Sequence, residues 1–216
     1  MDQELAPVTL SVPLATPRVA GSTRVRCAAG EVVLEAVRGG YSLVWSDGRA
    51  ARRYAVALGA NARLTIELRA PRMPLRIVLR EVLLLAPRSR LRGYIQVPLV
   101  PTIVWYEADA ASRVLLELPI ADLHAEWDDR TGTVFRTASP LHVRFPMRTG
   151  EPRAVVPVRF TNRTADVACP AFVPVVLDNG ELREARGTVL AAPRRMQWNG
   201  DALLAATPRR CVEVTP

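Results

Sequence analysis

An all-β fold is predicted for this chain, an antiparallel β-sandwich formed either as one unit or as two packed β-sandwich halves. Short runs rich in Val, Ile, Leu, Thr and aromatic residues recur along all 216 residues, separated by Pro, Gly, Asn or Asp. Residues 122–128 alternate strictly, with Leu123, Ala125 and Trp127 on one face and Asp122, His124, Glu126 and Asp128 on the other. That is the period of two of a half-buried strand. No segment joins a capping residue to an apolar period of about 3.6, so no helix is predicted.

From the start, VTLSV (8–12), TRVRC (23–27) and EVVLEAV (31–37) read as strands. A hairpin follows: Tyr41, Leu43 and Trp45 lead to the Asp47-Gly48 turn, and Tyr54, Val56 and Leu58 return. ARLTIEL (62–68) continues through Leu64, Ile66 and Leu68. LRIVLREVLLL (75–85) fits a long strand or a short buried helix; Pro71, Pro74 and Pro87 bracket it closely, which favours the strand. APRSRLRG (86–93) is the expected boundary between an N-terminal β-rich half (1–87) and a C-terminal sandwich half (94–216). YIQVPLVPTIVWY (94–106) carries Pro98 and Pro101, which points to edge or crossover structure.

The stretch 113–129 then opens as an apolar run and becomes the alternating strand. TVFRT and LHVRF (141–145) follow, the latter with Leu141, Val143 and Phe145 inward and His142 and Arg144 outward. AVVPVRF (154–160), FVPVVL (172–177) and ELREARGTVL repeat the pattern. RRMQW and DALLA, joined by Asn199-Gly200, carry the strongest hairpin signal in the chain.

All 29 basic residues are arginine, against 21 carboxylates. The absence of lysine rules out a Walker-type phosphate loop, a kinase β-lysine and a lysine Schiff base in this chain. The Arg, Ala, Val, Leu and Pro bias points to a GC-rich genome, and arginine in place of lysine is a feature of some thermophile families. A net charge of +8 admits acidic partners, nucleic acid or an anionic membrane surface, although a solvated basic surface is the simpler account and is favoured over nucleic-acid binding. No apolar run reaches the roughly 18 residues that span a bilayer. The acidic start, MDQELAPVTL, does not read as a signal peptide, so a cytoplasmic protein is expected. Cys27, Cys169 and Cys211 form no CxxC pair and are expected to be buried thiols, one disulfide being admissible in a hyperthermophile. Asn162-Arg163-Thr164 matches the glycosylation acceptor pattern, by chance in a protein that is not secreted.

Three constellations bear on chemistry. Asp122, His124 and Glu126 share one strand face, and His142 from a nearby strand completes a set suited to zinc, iron or manganese. The same residues are also what a solvent-facing strand carries, and with two histidines a three-histidine site is impossible within one subunit. Asp122, Glu126, Asp128 and Asp129 include carboxylate pairs of the kind glycosidases use, but nothing separates their roles. There is no GxSxG elbow, and Ser139 and Cys169 have no identifiable base. Arg88, Arg90 and Arg92 alternate and project together when extended, with Arg72, Arg76 and Arg80 upstream; arginine forks of this kind bind phosphates bidentately. Aromatic residues make up only 6%, and Trp45, Trp105, Trp127 and Trp198 mostly read as core, which argues against a stacking platform.

Across residues 94–206 the chain resembles an uncharacterised archaeal family, domain-of-unknown-function family number 432. The resemblance rests on VPLVPTIVW, on LELPI running into the alternating strand, on TVFRT, and on VRFTNRTADV before a strand with Val-Pro. It implies a β-rich archaeal protein and transfers no activity and no site residues.

The expected function is a non-catalytic protein-interaction or structural module without a cofactor, bound to a protein partner or to itself through an edge strand or an apolar face. Binding of nucleic acid or an anionic surface through Arg72 to Arg92 is the alternative, and metal-dependent hydrolysis at Asp122, His124, Glu126 and His142 is the second.

Overall fold

The computed structural model describes residues 11–14, 21–27, 30–57, 63–106, 112–129, 132–146, 152–185 and 188–205. After β1 (Ser11–Leu14), an antiparallel meander runs through β2 (Ser22–Cys27), β3 (Gly30–Val37), β4 (Gly40–Ser46) and β5 (Ala51–Val56). Then come β6 (Arg63–Arg69), β7 (Leu75–Leu79), β8 (Arg90–Pro98), β9 (Val100–Tyr106) and β10 (Arg113–Glu117). β11 (His124–Asp128), β12 (Gly132–Ser139), β13 (Arg153–Asn162) and β14 (Val173–Val175) lead to a single 3-10 turn at Asn179–Glu181. The chain closes with β15 (Arg183–Ala185), β16 (Thr188–Leu190), β17 (Arg194–Trp198) and β18 (Leu203–Ala205).

These strands form four sheets, and the fold is all-β. β1-β6-β9-β10 faces the meander across one core, built on Leu34, Leu43, Trp45, Leu64, Ile66 and Ile103. Trp45 is 1% exposed and its indole N–H donates to the Pro119 carbonyl at 3.0 Å, so its polar end is satisfied inside that core. Gly30 is required beside it: a Cβ there would stand 2.3 Å from the Ser46 carbonyl and 2.7 Å from the indole. The second core lies between β11-β12-β7-β14 and the sheet centred on β13, and holds Leu75, Ile77, Ile95, Val97, Val156, Phe160 and Met196. No helix among the described residues is long and apolar enough to cross a membrane.

Several expectations need correction. Not all pairing is antiparallel: β12 runs parallel to β7, and β13 runs parallel to β16 and β17. The segment 86–93 is no boundary between cores, because Ala70 to Leu85 pack with the later strands while Ile103 and Leu118 pack with the earlier ones. The chain instead passes between the two cores three times, after Ile66, after Leu99 and after Leu118. Both features expected of residues 94–106 occur there: β8, which ladders only with β13, is an edge strand, and the chain crosses over into β9, which lies inside its sheet between β6 and β10. The prolines sit near strand ends: Pro98 closes β8, and Pro101 lies beyond the β10 register, which stops at Thr102.

The run 75–85 is a strand only to Leu79, where its partner β12 also ends, at Ser139. Leu83 and Leu85 still point inward while Val82 and Leu84 are exposed, so the alternation outlasts the ladder. LHVRF makes one bridge, His142 with Tyr94, and Val143 is 78% exposed. Cys169 is a free, exposed thiol rather than a buried one; the side chains of Cys27 and Cys211 lie outside the described residues.

Candidate functional site

The alternation of β13 buries Val156, Val158 and Phe160 against the second core, which turns Pro157, Arg159 and Thr161 to the opposite face of the sheet. On its antiparallel neighbour β8, Ile95 and Val97 face the core and Arg90, Arg92 and Tyr94 face away. On its parallel neighbour β17, Met196 is buried and Arg195 and Gln197 face away. Register then does what sequence separation hides: Arg92 stands opposite Arg159, and Arg159 opposite Arg195. With strands about 4.8 Å apart, the three guanidinium stems form a rung roughly 10 Å wide. A second rung, Arg90, Thr161 and Gln197, lies two residues along.

Arg92 and Arg195 are exposed and Arg159 is half-buried. Among the described residues no carboxylate pairs with any of them. Like charges directly opposed across strands are unfavourable, and here nothing within the sheet relieves them. Beside the rung is a hollow of about 380 Å³, lined by Arg92, Arg159 and Arg195 on one side and Tyr94, Val143 and Pro157 on the other. Tyr94 meets Phe145 edge to face, with ring centroids 5.5 Å apart and planes at 82°.

Gly93 makes that wall. A Cβ on it would lie 2.9 Å from both the His142 carbonyl and the Leu141 side chain, so only glycine lets residues 141–142 close on β8. Tyr94 N–H donates to the His142 carbonyl at 2.8 Å and His142 N–H to the Tyr94 carbonyl at 2.9 Å, which holds Val143 and Phe145 at the rim.

The expected arginine stripe does not survive as a unit. Arg90 and Arg92 share the open face as anticipated. Arg88 sits in a turn with φ of 52°, its N–H donating to the Thr164 carbonyl. Arg72 pairs with Glu117, and Arg76 pairs with Asp128 while lying 4.7 Å from the centre of the Phe172 ring. Arg80 lines a different hollow.

That second hollow, of about 350 Å³, is where Asp122, His124 and Glu126 do come together, joined by Arg80, Arg136 and Arg153. Its carboxylates are held by guanidinium groups: Asp122 accepts from Arg153 at 2.6 Å, with Arg49 3.6 Å away, and Glu126 from Arg136 at 3.1 Å. His142 is not part of it; it lies at the edge of β8, with Nε2 buried and without a partner. Among the described residues no three His, Cys, Asp or Glu side chains are grouped to hold a metal, which corrects the four-residue set. Ser139 Oγ donates to the Pro140 carbonyl and accepts from the Gln96 N–H, both at 2.8 Å, a structural role. Trp127, expected in the core, is 74% exposed. Register keeps it on the face that Ala125 shares with Phe135 and Leu75 of the second core, but β11 is an edge strand and leaves it uncovered.

Arg159, Arg195, Tyr94 and Phe145 were not singled out from the sequence. The outward position of Arg159 was readable from VVPVRF, but its alignment with Arg92 and Arg195 depends on register. No family model matches this chain, and neither does any curated protein or solved structure.

Proposed function

We propose that this protein is a non-catalytic binding module whose arginine rung holds an extended polyanion. The observation that carries this reading is the alignment of Arg92, Arg159 and Arg195 on three adjacent strands with no carboxylate among the described residues paired to them. A phosphate chain laid across the rung relieves the mutual repulsion and accepts paired hydrogen bonds from guanidinium forks. The test is binding of a labelled polyanion at rising salt. Affinity should fall steeply with salt, and Arg159→Glu should remove it. Salt-independent binding, or none at low salt, defeats the reading.

Self-association is the second reading, and it has its own observation. β11 is an edge strand that presents Ala125 and Trp127 to solvent. Sedimentation across a concentration series should then show a dimer that Trp127→Asp dissociates; a monomer throughout removes this reading.

A further inference from the structure

We infer that the hollow beside the arginine rung receives one nucleotide of a single-stranded nucleic acid, its phosphate on Arg92, Arg159 and Arg195 and its base against Tyr94 and Pro157. This rests on the polyanion reading and sharpens it. A ligand that is charge alone, such as a sulfated sugar chain or inorganic polyphosphate, uses only one wall of the hollow. The other wall is Tyr94, Val143 and Pro157, an apolar and aromatic surface within the same 380 Å³. Arg92 and Tyr94 are two residues apart on one face of β8, about 6.7 Å along the strand. That is the order of the reach from a phosphate across its sugar to its base.

The neighbouring rung of Arg90, Thr161 and Gln197 continues the polar surface along the strands, so the backbone has somewhere to run beyond the hollow. A duplex keeps its bases stacked inside and offers this face phosphates only, leaving the Tyr94 wall unused. A single strand presents both chemistries, and base-on-aromatic contact tolerates any sequence. The half-buried Tyr94 ring is held from behind by Phe145, edge to face, which fixes its orientation before a ligand arrives. The scarcity of aromatic residues therefore does not count against the site, since one placed ring beside a charged rung is what a single nucleotide needs.

The experiment compares, by fluorescence anisotropy at low salt, a short oligothymidylate, an abasic deoxyribose-phosphate strand of equal length and the matching duplex, each with the full chain. The thymidylate should bind roughly tenfold more tightly than the abasic strand. Tyr94→Leu should erase that difference, Tyr94→Phe should preserve it, and Arg159→Ala should weaken both strands. Equal affinity of the unmodified protein for the base-bearing and abasic strands overturns the nucleotide inference and leaves the polyanion reading standing. That comparison needs no variant, so a misfolded Tyr94→Leu does not block it. If no strand binds, both readings fall together.

Discussion

Two groups of arginines on this molecule meet opposite fates. Arg72 ahead of β7, Arg76 on β7, Arg136 on β12 and Arg153 at the start of β13 each hold a carboxylate: Glu117, Asp128, Glu126 and Asp122 respectively. On the open face of β8, β13 and β17, Arg92, Arg159 and Arg195 face one another and hold none among the described residues. The difference teaches that an excess of positive charge becomes a binding surface only where register separates arginines from carboxylates. Charge totals do not reveal that separation. Elsewhere the same chemistry is closed on itself: Glu67, 8% exposed, accepts from Arg69 Nε at 2.9 Å and Nη2 at 2.7 Å and from the Tyr106 hydroxyl, and has nothing left for a ligand.

The most severe way to break the contrast is from underneath. Phe160 is fully buried next to Arg159, and Phe160→Ala should cost about 4 kcal/mol in urea unfolding and loosen the rung with it. Arg76→Ala tests the neutralised group. It removes one ion-pair partner of the largely buried Asp128 carboxylate, and a loss of about 2 kcal/mol in the same assay is expected, discounted because Arg76 is partly exposed. Polyanion affinity should be unchanged by it.

The open group should respond in reverse. Arg159→Glu should weaken polyanion binding at least about tenfold while leaving the melting temperature unchanged or raised, because it replaces a like-charge contact with an attractive one. A melting temperature that falls sharply means the rung is structural, and the contrast collapses. Arg195→Ala is gentler, and should lower the slope of log affinity against log salt by roughly 0.7 to 0.9.

The smallest effect concerns a carboxylate that neither group uses. Asp47 accepts the backbone N–H of Ala50 at 2.8 Å and of Arg49 at 2.9 Å, and these bonds, the Ala50 one foremost, hold its carboxyl below the usual aspartate range. Because the folded-state value is depressed, its contribution is complete above the ordinary value of about 3.9 and is lost as pH falls through the lowered one. Asp47→Ala should therefore flatten the acid limb of stability without touching binding. Tyr106 works at the other extreme of pH. Its hydroxyl donates to Glu67, which pushes its pKa above the usual tyrosine value, so the contribution is complete below about 10 and lost as pH rises further.

Most of the strands were legible because their cause is local. The meander hairpin at Asp47-Gly48 and the terminal hairpin at Asn199-Gly200 form as their turn residues require, with Gly48 and Gly200 at φ of 83° and 110°. The errors fell where a strand needs a partner. Residues 80–85 have strand composition but no ladder, only one bridge from Leu85 to Ala168, and LHVRF likewise finds a single bridge. β11 alternates as expected and turns Ala125 and Trp127 to the core side of its sheet, yet it lies at the edge, where they stay exposed, and the sequence offers no sign of that.

The sequence by itself determined the all-β class, the Asp47-Gly48 and Asn199-Gly200 turns, and the restriction to arginine chemistry in a chain without lysine. These follow from backbone preferences and from a side-chain period of two, both properties of neighbours in the chain. Only the tertiary structure decided which arginines were neutralised, that Asp122, His124 and Glu126 share a hollow without His142, and that Arg92, Arg159 and Arg195 align. Positions far apart in the chain become adjacent through strand register, and a slip of one residue turns every side chain to the opposite face.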